Sequence, residues 1–232
     1  MQLRQNAANY LTLLNLLAGT TAVYLIFEGR YIEAFWWVLA GIGFDFLDGL
    51  VARALRVHSP LGLQLDSLAD MVTSGLAPAY FLFHIMHTAY PDARWPFVAF
   101  LIAPASAWRL ARFNIDPAQK DRFRGLPTPA NALFLFAMGF ILLRHIEPWF
   151  GLISRPAGFT GLILLSCWLL NSSLPLIALK FHGFDRRKDG PKILLALILL
   201  GMLAAGGWAA VPWALAIYVV YSWFYYHKKP LP

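Results

Sequence analysis

Long apolar segments recur along this chain about every 25 to 30 residues, and each is close to the length of about 20 residues that a helix needs to cross a bilayer. Of the 232 residues, 59% are hydrophobic and 13% are charged, whereas soluble domains carry about 25% charged residues. The chain is therefore predicted to be an integral membrane protein. We expect an all-α, polytopic helical bundle that forms one membrane domain over residues 1–232.

The apolar segments predict eight membrane-spanning helices. They cover residues 10–28, 31–56, 62–86, 95–113, 127–145, 157–180, 191–207 and 210–227. Little more than Gly206 and Gly207 separates the last two, which predicts a tight helical hairpin. Layouts of seven spans, in which two segments merge or one is dropped, stay open at this point.

Basic residues orient these spans, because cytoplasmic loops of membrane proteins are rich in Lys and Arg. With a cytoplasmic N-terminus, fifteen of the nineteen Lys and Arg residues lie on the cytoplasmic side. The opposite side then carries only Arg30, Arg94, Arg144 and Arg155. Both termini are therefore predicted to be cytoplasmic. Anchoring against anionic lipid explains most of the net charge of +7, so no nucleic-acid partner is expected.

Four aspartates fall at the cytoplasmic ends of the second and third predicted spans: Asp45, Asp48, Asp66 and Asp70. A charged side chain at bilayer depth costs a few kcal/mol, about 2.5–3.5 on insertion scales, so such residues are functional by default. Their i,i+3 and i,i+4 spacings place each pair on one helix face. Oxygen ligands of this kind suit hard divalent cations. The pattern therefore predicts a metal site between two helices.

Small and basic residues accompany the aspartates. Gly49, Ala52 and Gly62 would let a ligand approach closely, and Arg53 places a cation beside the acids. A ligand that bridges metal and arginine, such as a diphosphate, suits this combination. Two alternatives stay open here: aspartates that only pair with arginines to hold helices together, and a cation pathway in a transporter. We favour an enzyme site.

These residues resemble the signature of the CDP-alcohol phosphotransferase family, D-x-x-D-G-x-x-A-R-x(8)-G-x-x-x-D-x-x-x-D. The chain matches it throughout, at Asp45, Asp48, Gly49, Ala52, Arg53, Gly62, Asp66 and Asp70. The resemblance implies transfer of a phosphatidyl or similar group from a CDP-linked donor to an alcohol, with release of CMP. It also implies two divalent metals, Mn²⁺ or Mg²⁺, held by the four aspartates, with Asp70 also acting as general base.

Three further stretches resemble the branch of the family that uses CDP-diacylglycerol and L-serine. They are LDSLADMVTSGLAPAY (65–80), WRLARFN (108–114) and FRGLPTPANA (123–132). Ser74 departs from this branch, which usually has Phe there. Glycerol phosphate and inositol phosphate stay open as acceptors. The resemblance further implies a homodimer in the cytoplasmic (inner) membrane of a prokaryote, with the active site facing the cytoplasm.

The resemblance assigns the donor CDP-diacylglycerol to a group of residues on the first three spans. These are Asn9, Asn15, Gly49, Ala52, Arg53 and Gly62. For Asn15, a hydrogen bond between helices is an equal alternative.

Serine recognition is expected from the fourth span and the loop after it. Arg109 and Arg112 lie one turn apart, and we expect one to bind the serine carboxylate and the other a phosphate; lipid anchoring is the alternative. Pro127 would stiffen the turn of the pocket. Asn131 would donate a hydrogen bond or, alternatively, cap a helix.

Overall fold

The structure is a computed structural model that describes residues 2–55, 59–115, 123–177 and 186–227. Helices dominate, which confirms the predicted all-α class. They are α1 (Gln2–Phe27), α2 (Tyr31–Leu55), α3 (Pro60–Asp70), α4 (Ala77–Ala89), α5 (Ile102–Ile115), α6 (Thr128–Leu143), α7 (Trp149–Ile153), α8 (Pro156–Asn171) and α9 (Arg186–His227). His58, between the two halves of the aspartate signature, and most of the polar loop after α5 lie outside the described residues.

The predicted third span forms from three consecutive helical pieces. Ser59 caps α3, since its Oγ accepts a hydrogen bond of 2.9 Å from the backbone N–H of Gly62. Pro60 follows at the first helical position, where its missing N–H costs nothing. A π segment (Met71–Leu76) then joins α3 directly to α4. Such π segments are rare and are frequent at functional sites, and this one begins immediately after Asp70.

Close packing around Thr73 brings the first three spans together. A Cβ atom on Gly19 of α1 would overlap the Thr73 hydroxyl, and one on Gly41 of α2 would lie 2.7 Å from Thr73 Cγ2. Only glycine leaves space for this side chain. The Thr73 Oγ1 donates a hydrogen bond of 3.0 Å to the backbone carbonyl of Asn15. The helices that carry the aspartates are therefore fixed against α1.

An aromatic core holds α4, α6 and α9 together. The rings of Phe81 and Phe136 stack with centroids 4.5 Å apart, and Phe140 stacks on Trp208 at the same separation. Gly139 faces Phe81 so closely that a Cβ there would overlap the ring. Stacked and edge-to-face aromatic contacts add about 0.5–1.5 kcal/mol per pair beyond burial, so this core anchors the helices behind the site.

The predicted sixth span, 157–180, is too long. Helix α8 ends at Asn171, because Ser172 is extended (φ −67°, ψ 156°) and Pro175 has no N–H for a helical bond. The chain then forms a two-residue strand, β2 (Pro175–Leu176), which pairs antiparallel with β1 (Phe123–Arg124). Residues 178–180 lie outside the described ranges.

The fourth predicted span and the last two predicted spans differ from the structure in smaller ways. A 3₁₀ segment (Trp95–Leu101) precedes α5 within the fourth predicted span. Helix α9 begins at Arg186, five residues before the predicted start of the seventh span at residue 191; Arg and Lys favour helices. The backbone breaks at Gly207 (φ 52°, ψ −136°), between the last two predicted spans. That these two segments form a hairpin stays a prediction.

Among the described residues, two helices are long and apolar enough to cross a membrane by length and composition: Ala8–Phe27 and Ala204–Tyr226. Thr128–Leu143 and Pro156–Asn171 are apolar but shorter. The aspartates in α2 and the break at the π segment lower the apolar length of the second and third spans. The count of eight spans therefore stays a prediction.

Candidate active site

Three carboxylates gather where the end of α2 meets α3. One oxygen from each of Asp45, Asp48 and Asp66 lies within 4.8 Å of the other two. Asp45 and Asp48 are one turn apart on α2, and Asp66 faces them from α3. We call this group the acidic triad. Like charges so close destabilise one another unless a cation or protons neutralise them.

One atom of the triad indicates what could neutralise it. Asp66 Oδ1 is buried and accepts no hydrogen bond from any described residue. A buried acceptor is normally paired, and an unpaired carboxylate oxygen between two other carboxylates is a donor set for a hard divalent cation. The acidic triad therefore fits the divalent metal ion that the sequence pattern predicts.

Asp70 lies one turn beyond Asp66 in a different environment. Its side chain is only 8% exposed, and Asn15 Nδ2 on α1 donates a hydrogen bond of 3.1 Å to its Oδ1. Among the described carboxylates, Asp70 is not part of the acidic triad. The guanidinium of Arg109 is close enough for the two charges to interact. Asp70 thus sits between a neutral donor and a cation.

Asn15 was expected to bind the CDP-linked donor, but the structure supports the alternative. The residue is fully buried, and its amide is used in the hydrogen bond between α1 and Asp70. It does not line the cavity described below. It lies deep in the helix packing, about one and two-thirds turns along α1 from Asn9.

Thr12 is a site residue that sequence reasoning missed. Its Oγ1 donates a hydrogen bond of 2.5 Å to Asp48 Oδ2, and the residue is 4% exposed. A signal was available, because Asn9, Thr12 and Asn15 recur at every third position of an apolar helix and so share one face. That polar stripe faces the aspartates of α2 and α3.

A cavity of about 550 Å³ opens beside the acidic triad. Five of the six residues that we predicted to bind the CDP-linked donor line this cavity, together with two members of the acidic triad and several neighbours. The lining residues are Ala8, Asn9, Thr12, Asp48, Gly49, Ala52, Arg53, Ser59, Pro60, Gly62, Leu63 and Asp66. A volume of this size falls in the range of small-ligand sites, about 300–1,000 Å³.

The two glycines of the cavity differ in the space around them. A Cβ on Gly62 would lie 3.0 Å from both Asn9 Oδ1 and Ser59 Oγ, so any side chain there would press on the cavity wall. A Cβ on Gly49 would meet only the Arg53 guanidinium, at 3.5 Å. Gly62 is therefore the position where close approach of α3 requires glycine.

Arg109 and Arg112 lie one turn apart on α5 but differ in environment, and which of them binds a carboxylate or a phosphate stays a prediction. Arg109 is 8% exposed and its Nη1 donates a hydrogen bond of 3.4 Å to Thr128 Oγ1 on α6. Arg112 is exposed near the end of α5. The two side chains point about 60° apart around the helix, and Arg112 lies in the last turn of α5. Of the two arginines, Arg109 is the buried one.

Asn131 is fully buried on α6 and its Oδ1 accepts a hydrogen bond of 2.8 Å from Ser166 Oγ on α8. The alternative role as a helix cap is wrong, because α6 begins at Thr128 after Pro127, with no side-chain cap. Its Nδ2 has no hydrogen-bond partner in the part of the chain that the structure describes. The Asn131 amide nitrogen therefore has N–H groups available for a ligand, one turn along α6 from Thr128, which Arg109 contacts.

The turn before α6 is stiff, as predicted from its glycine and prolines. Gly125 has φ +76°, and a Cβ there would lie 2.5 Å from the carbonyl oxygen of Leu170. The N–H groups of Gly125 and Leu126 donate to the carbonyls of Leu174 and Leu169. Pro127 follows with φ −58°. The turn is therefore fastened to the end of α8.

Comparison with known proteins decides the family. The CDP-alcohol phosphatidyltransferase family matches residues 5–178, a stretch that contains the triad, the cavity and Arg109. The chain belongs to this family. As a CDP-alcohol phosphatidyltransferase it is an enzyme, a phosphotransferase of phospholipid biosynthesis, and the family is membrane-associated and uses a divalent metal.

Several relatives carry the name CDP-diacylglycerol–serine O-phosphatidyltransferase. The one from Mycobacterium tuberculosis strain H37Rv is 31% identical over 206 residues, which cover 84% of this chain and 68% of the relative. The one from Helicobacter pylori strain 26695 is 28% identical over 218 residues, 92% of this chain and 88% of the relative. The Bacillus subtilis protein is 30% identical over 135 residues, 56% of this chain and 73% of the relative.

Proposed function

We propose that this phosphotransferase is a phosphatidylserine synthase, which moves the phosphatidyl group of CDP-diacylglycerol to the hydroxyl of L-serine and releases CMP. The observation that carries the proposal is the convergence on one cavity of Asp48 and Asp66, two members of the acidic triad, with Arg53, Gly49, Ala52 and Gly62. The names of relatives that match most of the chain support serine as acceptor.

The donor is proposed to bind in the cavity. Its cytidine diphosphate would lie against Gly49 and Ala52, where small side chains leave room for it, and Arg53 would offer a guanidinium to a phosphate. Asn9 lines the same wall and offers an amide. The diacylglycerol chains would extend toward lipid, since several apolar residues of α1 and α2 face outward, among them Leu13, Leu17 and Phe46.

The acidic triad is proposed to hold Mn²⁺ or Mg²⁺, with Asp70 at the edge of a second metal position. When bound, such ions supply positive charge that neutralises the diphosphate and stabilises the leaving phosphate. The chain's own part is to fix the ligands: Thr12 holds one oxygen of Asp48, and the burial of Asp66 Oδ1 keeps that oxygen free of competing donors among the described residues.

Asp70 is proposed as the general base. Its Oδ1 is held by Asn15, which leaves Oδ2 to take a proton. As the serine hydroxyl oxygen forms a bond to the phosphorus that bears the diacylglycerol, its proton passes to Asp70 and the bond from phosphorus to CMP breaks. Direct displacement is favoured because the described residues that line the cavity include no cysteine, and the Oγ of their one serine, Ser59, is engaged in the N-cap hydrogen bond with the Gly62 N–H.

Arg109 is proposed to bind the serine carboxylate, with Asn131 and the Pro127 turn shaping the pocket. Burial strengthens such a charge-assisted contact, and the described structure gives Arg109 only a long hydrogen bond to Thr128. Arg112, exposed at the end of α5, is better suited to a lipid or donor phosphate.

The proposal extends to the setting of the enzyme. The apolar segments predict eight spans in a single membrane domain, and the distribution of positive charges predicts that both termini are cytoplasmic. The inner membrane of a prokaryote, a cytoplasmic active site and a homodimer are expected from the family resemblance. Labelling of single introduced cysteines with membrane-impermeant thiol reagents, applied to each side of sealed vesicles, would test the orientation.

The decisive test is CMP release by protein purified in detergent, with CDP-diacylglycerol and Mn²⁺ or Mg²⁺. Separate reactions would contain L-serine, glycerol 3-phosphate, inositol phosphate or no acceptor, and Asp66→Asn would serve as the inactive control. We expect release to depend on L-serine. Release with another alcohol instead would keep the family and overturn the serine assignment.

A further inference from the structure

Five buried polar atoms without a hydrogen-bond partner lie on the elements around Arg109. Within the described residues they are Ser74 Oγ, Ser106 Oγ, Arg109 Nε, Asn131 Nδ2 and Asn171 Oδ1. Buried polar atoms are nearly always paired, so each exception needs a reason. Five exceptions in one region indicate a shared partner that is not part of the chain.

The elements that carry these atoms are in direct contact. A Cβ on Gly75, next to Ser74, would lie 3.0 Å from Ser106 Cβ on α5. Arg109, one turn along α5, reaches Thr128 on α6. Helix α8 closes the group, since Asn171 Nδ2 donates a hydrogen bond of 3.1 Å to the carbonyl oxygen of Ala105. We call the five side chains the α5 cluster.

The chemistry of the α5 cluster indicates a ligand with two kinds of group. Arg109 Nε and Asn131 Nδ2 can only donate hydrogen bonds, whereas Asn171 Oδ1 can only accept them. The hydroxyls of Ser74 and Ser106 can do both. A matching ligand offers acceptors beside the guanidinium and donors beside the amide oxygen. A carboxylate and an ammonium on one small molecule meet both needs, but a phosphate meets only the first.

The position of the α5 cluster connects it to the reaction. Helix α5, which carries Ser106 and Arg109, packs against the π segment that carries Ser74 and begins immediately after Asp70. Ser74 and Ser106 are both fully buried, so a ligand held there is screened from bulk water. A hydroxyl on the same small molecule would then lie on the side of Asp70.

We propose that the α5 cluster binds the carboxylate and ammonium of an α-amino-acid acceptor, with Ser106 and Asn171 as specificity-determining residues on the ammonium side. The proposal rests on the proposed function and adds to it the groups that separate an amino acid from a phosphate-bearing alcohol. Ordered water is the competing occupant of such a cluster, and the experiment separates the two.

The test compares Ser106→Ala with the unchanged enzyme, using CMP release and calorimetric binding of L-serine without donor lipid. We expect the KM for L-serine to rise about tenfold, the loss typical of one hydrogen bond to a charged group, and the KM for CDP-diacylglycerol to stay the same. Preference for L-serine over 3-hydroxypropionate, which lacks the ammonium, should fall in parallel. Thr21→Ala, which removes an exposed hydroxyl of α1, should change neither.

Asn171→Leu is the second variant, and its thermal unfolding shows whether α8 stays packed. An unchanged KM for L-serine in both variants, or an equal rise for both substrates, would assign the cluster to water and overturn the proposal. If the unchanged enzyme releases CMP with L-serine, the proposed function survives that result. If it uses only a phosphate-bearing alcohol, the proposed function and the cluster assignment both fail.

Discussion

Thr12 Oγ1 donates a hydrogen bond of 2.5 Å to Asp48 Oδ2, although 36 positions separate the two residues. One turn further along α1, Asn15 holds Asp70 in the same way. Both donors are neutral, so they orient the carboxylates without removing the negative charge that a metal requires. Helix α1 therefore acts as a positioning element for two of the four aspartates.

Replacing Thr12 tests this role. Thr12→Val keeps the branched shape but removes the donor, and hydrogen bonds to charged groups contribute about 1.5–3 kcal/mol. We expect the Mn²⁺ concentration for half-maximal activity to rise at least about tenfold, while Thr12→Ser stays close to the original enzyme. A lower kcat with an unchanged Mn²⁺ requirement would contradict the positioning role.

Asp70→Asn should abolish CMP release and leave binding of CDP-diacylglycerol largely intact, because the amide has the shape of the carboxylate but cannot take a proton. Binding can be measured with labelled donor lipid. Asp92→Asn is the matched control, since Asp92 is exposed in the turn after α4. Loss of CDP-diacylglycerol binding in Asp70→Asn would assign Asp70 to metal ligation rather than to general-base catalysis.

Metal binding should stabilise the protein through the acidic triad. A ligand at about one hundred times its Kd stabilises the folded state by about 2.7 kcal/mol, so Mn²⁺ should raise the unfolding temperature and EDTA should reverse the effect. In Asp66→Asn the shift should disappear. An equal shift in both proteins would mean that the ion binds outside the triad.

Two glycines of α2 provide a test of the packing. Gly41→Ala would place its Cβ 2.7 Å from Thr73 Cγ2 and 2.8 Å from Asn15 Oδ1, and overpacking of this kind costs about 1–3 kcal/mol. Gly43→Ala, two residues away, meets nothing within 4 Å. We expect a lower unfolding temperature only for Gly41→Ala. Similar behaviour of the two variants would show that the helices are not held by Thr73.

The two arginines of α5 should respond differently to substitution. Arg109→Lys removes the planar fork from a buried position, so we expect the KM for L-serine to rise more than the KM for the donor. Arg112→Lys keeps the charge at an exposed position and should have little effect on either. Comparing the two variants by steady-state CMP release checks this; a larger effect at Arg112 would return the carboxylate role to that residue.

Local spacing predicted one acidic site from four aspartates, and three of the four form the acidic triad in the structure. Asp45 and Asp48 share a face because helices repeat every 3.6 residues, and the short link between α2 and α3 brings Asp66 opposite them. The same reasoning could not find the hydrogen bond of Thr12, because it depends on how α1 packs against α2. Local information thus defines the ligands, and tertiary packing defines what orients them.

Other differences have the same origin. The apolar pattern continued the sixth span past Asn171, but the pairing of β1 with β2 and the extended Ser172 stop the helix there. Arg109 and Arg112 look equivalent by spacing, and the packing of α5 against the π segment and α8 buries one and leaves the other exposed. The π segment has no local signal that periodicity would detect.

The π segment also separates two orientations that an uninterrupted α-helix would couple. It holds an extra residue per turn, so the face of α3 that presents Asp66 and Asp70 is set independently of the face of α4 that packs Phe81 into the core. If the same residues formed an uninterrupted α-helix, the extra residue would rotate the carboxylates by about 100° relative to that anchor. The chain length between metal ligand and core is therefore as constrained as the identity of the ligands themselves.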